Sequence, residues 1–145
     1  MIVITDSNII ISALIRPKGA IAQIFKSDSQ IQFFAPSFLL YEVKEHFDLI
    51  QANTTLTPKE LKAEFKHLKS RIQVIDLETI PKTYIKKAYE IVKDIDEDDT
   101  FFVALNRYKK YKIWTTDKVL RDGLNAKGYN ICITTAELRK HLYKK

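Results

Sequence analysis

The chain has 145 residues, 46% of them hydrophobic, and 24 Lys and Arg against 18 Asp and Glu give it a formal net charge of +6 and a pI near 9.3. That composition suits one globular domain, 1–145, with a sizeable core, and excludes disorder or a multidomain layout. Its longest apolar stretch, 9–15, is far short of a membrane span, and the first residues lack the basic flank and cleavage site of a secretory signal, so a soluble cytoplasmic protein with no membrane partner is expected.

The first apolar run predicts a strand over 2–5, closed by Asp6, with a helix beginning near Asn8. A second strand is expected over 31–35. Leu39, Leu40, Val43, Phe47 and Ile50 then keep the period of one helix, which carries Glu42 at the edge of its apolar stripe. Thr57, Pro58 and Glu60 have the capping-box arrangement with proline at the first helical position, and they open a helix with Leu61, Phe65 and Leu68 on one face. These two helices form an αα-hairpin at about 37–70, projecting from the sheet.

A third strand follows over 72–75, then a helix through Tyr84, Ile85, Ala88, Ile91 and Val92. The acidic run Asp96-Glu97-Asp98-Asp99 opens another helix, marked by Phe101, Phe102, Leu105 and Tyr108. The fourth strand, 112–115, is followed by Asp117, and the fifth, 130–133, holds the single cysteine, Cys132, which reads as an apolar strand position rather than a reactive thiol. Thr134 and Glu137 form a second capping box. Strands alternating with helices imply an α/β domain with a central, mostly parallel sheet of about five strands. With only three glycines, neither a dinucleotide-binding loop nor a P-loop can be built.

In an open parallel sheet the carboxyl ends of the strands face one crevice, so acids placed after two strands and at a helix start can converge there. Each has a simpler role as well: Asp6 can cap the helix that begins near Asn8, Asp117 can cap the turn into Val119 and Leu120, and 96–99 can be a first turn enriched in acids by the helix dipole. Converging carboxylates repel unless a divalent cation neutralises them, and oxygen-only ligands suit Mg²⁺ or Mn²⁺. Setting four acids aside as ligands leaves 24 basic against 14 acidic residues, +10, a basic body that suits a polyanionic substrate. Much of that excess also sits where cations complement helix ends, as in 107–112 and at Lys144 and Lys145.

Taken together, Thr5-Asp6-Ser7-Asn8 after a strand, Glu42 within a helix, Asp96 to Asp99 before Thr-Phe-Phe-Val-Ala-Leu, and Trp114-Thr115-Thr116-Asp117 resemble the PIN-domain nucleases over nearly the whole chain. The resemblance implies a Rossmann-like three-layer α/β/α fold and hydrolysis of single-stranded RNA with Mg²⁺ or Mn²⁺. By similarity, Asp6, Glu42, Asp99 and Asp117 hold the metal and are catalytic, with Asn8, Asp96 and Thr115 supporting them. Asp98 adjoins Asp99, an acid where the family commonly has none, and Asp99 is preferred because it stands three residues before Phe102.

The size of the chain is most similar to the VapC-type toxins of toxin–antitoxin pairs. That subfamily implies an antitoxin partner, which would insert an arginine or lysine into the acidic pocket and pack an apolar segment beside Leu61, Phe65 and Leu68; homodimerisation is a rival use of that surface.

Three competitors are weighed against this reading. A PIN domain without catalysis would not need all four acids. A phospho-accepting receiver domain would use an aspartate after a central strand, where Asp76 stands after 72–75, but it would also need a lysine where Thr134 follows the last strand. A two-histidine ribonuclease finds no shared motif among His46, His67 and His141; only His46, one turn after Glu42, is placed for a role at the site.

Overall fold

The computed structural model describes residues 1–27 and 30–142, which leaves Lys144 and Lys145 outside the described residues. Five strands, β1 (Ile2–Thr5), β2 (Gln32–Pro36), β3 (Ile72–Ile75), β4 (Lys112–Trp114) and β5 (Cys132–Ile133), form one sheet in the order β3-β2-β1-β4-β5, and every pairing is parallel. The helices are α1 (Ser7–Ile15), α2 (Ala20–Lys26), α3 (Phe38–Glu45), α4 (Phe47–Asn53), α5 (Pro58–Ser70), α6 (Lys82–Val92), α7 (Thr100–Lys109), α8 (Lys118–Ala126) and α9 (Thr135–Leu142).

Because parallel strands need crossovers, helices cover both faces of such a sheet and its central strands must be apolar on both sides. β1 meets this demand with Val3 and Ile4, both buried, and β4 with Ile113 and Trp114. Trp114 packs against Phe25 of α2 and Phe33 of β2, with ring centroids 5.2 and 5.9 Å away, and its indole N–H donates to Thr135 Oγ1 at 3.0 Å. A buried indole needs such a partner.

The strand order places the topological switch between β1 and β4, since the chain leaves β1 towards β2 on one side and returns to β4 on the other. Thr5 pairs with Trp114 in register, so Asp6 and Thr115, the next residue of each strand, emerge side by side at the carboxyl edge. A receiver domain has the order 2-1-3-4-5, which this sheet does not follow. Asp76, after the edge strand β3, is exposed and caps a short 3-10 turn with its Oδ1 accepting from the Glu78 amide.

The helix expected across Leu39 to Ile50 is two helices broken at His46. That residue leaves helical geometry (φ −100°, ψ 9°), and its amide bonds to the Val43 carbonyl three residues back. The apolar period survives the break because Phe47 and Ile50 restart it on α4, where Phe47 meets Phe65 edge-on at 5.5 Å. Helices α3, α4 and α5 pack on α1 rather than standing clear of the sheet. Leu61, Phe65 and Leu68 are buried core residues, so they offer no exposed apolar face for a partner segment to cover. Helix α2 lies in a stretch to which the sequence pattern assigns no helix, and its Ala22, Ile24 and Phe25 join the core.

Candidate metal centre

Each acid reaches the crevice through its own local structure. Asp6 ends β1 and caps α1, its Oδ1 accepting from the Ile9 amide at 3.0 Å. Asp117 follows β4 and caps α8 in the same way, its Oδ1 accepting from the Leu120 amide at 3.2 Å. A carboxylate has two oxygens, so a capping bond at Oδ1 leaves each acid further acceptor capacity. Asp99 closes a 3-10 turn over Glu97–Asp99 and stands at the N-terminus of α7; Asp96 opens that turn by accepting from the Asp98 amide at 3.0 Å. Glu42 comes from the middle of α3.

These side chains converge on one cavity of about 190 Å³, lined by Asp6, Glu42, Asp96, Asp98, Asp99 and Asp117 together with Ser7, Asn8 and His46. Asp96, Asp99 and Asp117 each contribute an oxygen to a group in which all lie within 4.8 Å of one another. Asp6 is buried beneath them, Glu42 and Asp99 are half-buried, and Asp98 is exposed at the rim. Neither Lys nor Arg lines the cavity among the described residues.

Burial sets the electrostatics. It pushes the Asp6 carboxyl up to about 7 against the opposing hydrogen bonds from Thr115 and the Ile9 amide, with Asp117 and Glu42 adding repulsion. Asp99 rises to about 8, again through burial first, then through Asp96, Asp6, Asp117 and Glu42. Glu42 is raised by burial too, although the Ser7 hydroxyl, which donates to its Oε1 at 2.5 Å, pulls it back down. Asp99 Oδ2 is buried with no hydrogen-bond partner.

A buried carboxylate oxygen left unpaired among like charges is costly, and a cation removes both penalties together. The donor set is all oxygen and anionic, which fits a hard divalent ion such as Mg²⁺ or Mn²⁺.

The remaining residues from the sequence analysis fall into two groups. Thr115 is fully buried behind the cavity, where its Oγ1 accepts from the Asp117 amide at 3.0 Å and its hydroxyl serves Asp6, so it orients two acids at once. Asn8 is exposed at the cavity mouth. His46 also lines the cavity, its Nδ1 2.8 Å from the Glu42 carbonyl. Ser7 was missed by sequence reasoning, because nothing local marks a serine whose partner lies 35 residues away. Cys132 is buried and its thiol is pushed up to about 12, which removes it as a nucleophile.

A sequence-family profile described as "PIN domain" matches residues 4–142. Among solved structures, the chain is similar to one in the crystal structure of VapBC2 from Rickettsia felis bound to a DNA fragment from their promoter, with a TM-score of 0.64 and 13% identity over 92% of this chain and 97% of that one. At that identity the likeness speaks for the fold. No curated protein sequence matches the chain significantly.

Proposed function

The chain belongs to the PIN-domain family, and from that premise we propose that it is an endoribonuclease that hydrolyses phosphodiester bonds of single-stranded RNA with Mg²⁺ or Mn²⁺. The observation that carries the reading is the buried, unpartnered Asp99 Oδ2 inside a cavity lined by Asp6, Glu42, Asp96 and Asp117.

Asp6, Glu42, Asp99 and Asp117 would hold the metal, with Asp96 close enough to join them. When bound, a divalent ion supplies positive charge for a phosphodiester oxygen and lowers the pKa of water beside it. The chain's own residues do the positioning. Ser7 fixes Glu42, and Thr115 fixes Asp6 and Asp117, as supporting hydrogen bonds do around metal ligands. Asn8, at the mouth, offers an amide donor to an incoming phosphate or 2′-hydroxyl. The basic body outside the pocket attracts the strand.

The test is cleavage of a labelled single-stranded RNA by purified protein. Activity with Mg²⁺ or Mn²⁺ that stops in excess chelator, and is lost in Asp6→Asn and Asp99→Asn, supports the reading; cleavage indifferent to metal rejects it. If Asp98→Asn inactivates and Asp99→Asn does not, the third ligand is one residue earlier than assigned.

The resemblance to VapC-type toxins, together with the fold match to a chain of a VapBC2 structure, supports the toxin of a toxin–antitoxin pair as the biological setting. An antitoxin cation placed in the acidic cavity would then replace the metal. Growth arrest on expression of the wild type, absent for Asp6→Asn, is the outcome this setting requires; a harmless wild type that still cuts RNA in vitro rejects the toxin role and leaves the nuclease.

A further inference from the structure

Beside the acidic cavity lies a second one of about 420 Å³, within the ~300–1,000 Å³ range of ligand pockets. Asp98 lines both, so the two are neighbours. The second differs in chemistry. Phe38 at the start of α3, Ile85 and Tyr89 of α6 and Phe101 of α7 give it an apolar lining, to which Lys86, Glu97 and Asp98 add charge. The rings are ordered by one another: Phe101 meets Phe38 edge-on at 5.0 Å, and Tyr41 stacks on Phe38 at 5.7 Å. Tyr41 and Tyr89 nevertheless stay 58% and 42% exposed.

Aromatic rings left open to solvent beside a cation, next to a centre built for phosphodiester chemistry, have the composition of a single-strand binding platform, where bases stack and a lysine meets the backbone. We propose that this cavity holds one unpaired nucleobase of the RNA strand, next to the phosphate under attack; the proposal rests on the nuclease reading of the acidic cavity. The base ring lies against Tyr89 and Phe38. Lys86 faces the neighbouring phosphate. Glu97 and Asp98, which are acceptors only when ionised, face the edge of the base, and this favours bases with amino groups, cytosine, adenine and guanine, over uracil.

The test uses the full chain and short single-stranded RNAs in two assays. In the first, fluorescence anisotropy in excess chelator reads binding of a labelled 12-nucleotide RNA without cleavage. Tyr89→Ala should weaken binding about tenfold and Tyr89→Phe should leave it unchanged, since stacking needs the ring and not the hydroxyl. Because Tyr89 is 42% exposed and not among the buried core residues, its removal opens no core cavity. In the second, abasic nucleotides are walked along a cleaved RNA with Mn²⁺. One position flanking the cut should raise KM about tenfold in the wild type, and lose that effect in Tyr89→Ala.

RNA affinity unchanged in both Tyr89→Ala and Lys86→Ala, which would leave this face to a protein partner, overturns the proposal. An RNA that binds through Tyr89 but is never cut would instead overturn the nuclease reading and keep the platform.

Discussion

The Ser7 hydroxyl donates to Glu42 Oε1 at 2.5 Å, joining the first residue of α1 to the middle of α3 across 35 positions of sequence. That bond holds the ionised form of Glu42 against the burial that raises its pKa. Ser7→Ala should therefore leave the fold intact but lower cleavage by roughly 10–100-fold, the usual effect of removing a hydrogen bond that orients a metal ligand. The acid limb of the pH–rate profile should move to higher pH, because Glu42 then rises further. A profile that falls in height without shifting would mean that Ser7 does not act through Glu42.

Stability without metal should fall as pH rises. In the fold, burial pushes the carboxyls of Asp6 and Asp99 up to about 7 and about 8, from an ordinary 3.8, so each favours the fold while protonated. That contribution is complete below about pH 4 and is lost as pH climbs through 7 and 8. Mn²⁺ should accordingly raise the melting temperature far more at pH 8.5 than at pH 5.5, and binding near neutrality should release protons. Calorimetry in buffers of different ionisation enthalpy measures that release; heats independent of buffer would contradict it.

Replacing Asp99 by asparagine removes a like charge and keeps the shape, and the amide can donate to the oxygens of Asp96 or Asp117 nearby. In chelator at pH 8.5, Asp99→Asn should melt higher than the wild type by several degrees, at roughly 2–4 °C per kcal/mol for a chain of this size. Added Mn²⁺ should narrow or reverse that gap. A variant less stable than the wild type in chelator would show that Asp99 carries no stored repulsion.

Gly123 in α8 lets that helix approach Ile95, the residue before Asp96. A Cβ at this position would stand 2.8 Å from Ile95 Cδ1 and 2.9 Å from its Cγ1. The same stretch is tied one turn further on, where Lys127, just past the end of α8, pairs with Asp94 and donates to the Ile91 carbonyl at 2.6 Å. Alanine would otherwise add about 1 kcal/mol of helix stability. Gly123→Ala should forfeit that gain and slow cleavage several-fold by displacing Asp96. Wild-type rates in a more stable protein would remove Asp96 from the account.

The fold was legible because its signals are local. Apolar runs marked the five strands, and the capping boxes at Thr57 and Thr134 form as read, both with reciprocal hydrogen bonds. Asp6 and Asp117 could be read as caps or as crevice acids, and they do both: each accepts a capping amide and each lines the cavity. What stayed hidden depends on distant partners. The break at His46 leaves the apolar period unchanged, the Ser7–Glu42 bond needs the fold to form, and the rings of Phe38 and Phe101, 63 residues apart in sequence, meet only in the folded chain. Leu61, Phe65 and Leu68 have the pattern of an exposed amphipathic face as well as of a core stripe, and packing on α1 and α4 makes them core.

The central claim is that these acids hold a divalent cation, and Mn²⁺ binding read by electron paramagnetic resonance tests it most directly. Titrated at pH 8 into wild-type protein, the signal of free Mn²⁺ should be suppressed up to one or two equivalents, and excess Mg²⁺ should restore it. Asp6→Asn, Asp99→Asn and Asp117→Asn should each weaken that suppression at least tenfold. Asp76→Asn, whose carboxylate caps an exposed turn away from the cavity, should bind as the wild type does. Wild-type protein that leaves the Mn²⁺ signal unchanged, or triple loss of Asp6, Asp99 and Asp117 without effect on it, would contradict the account.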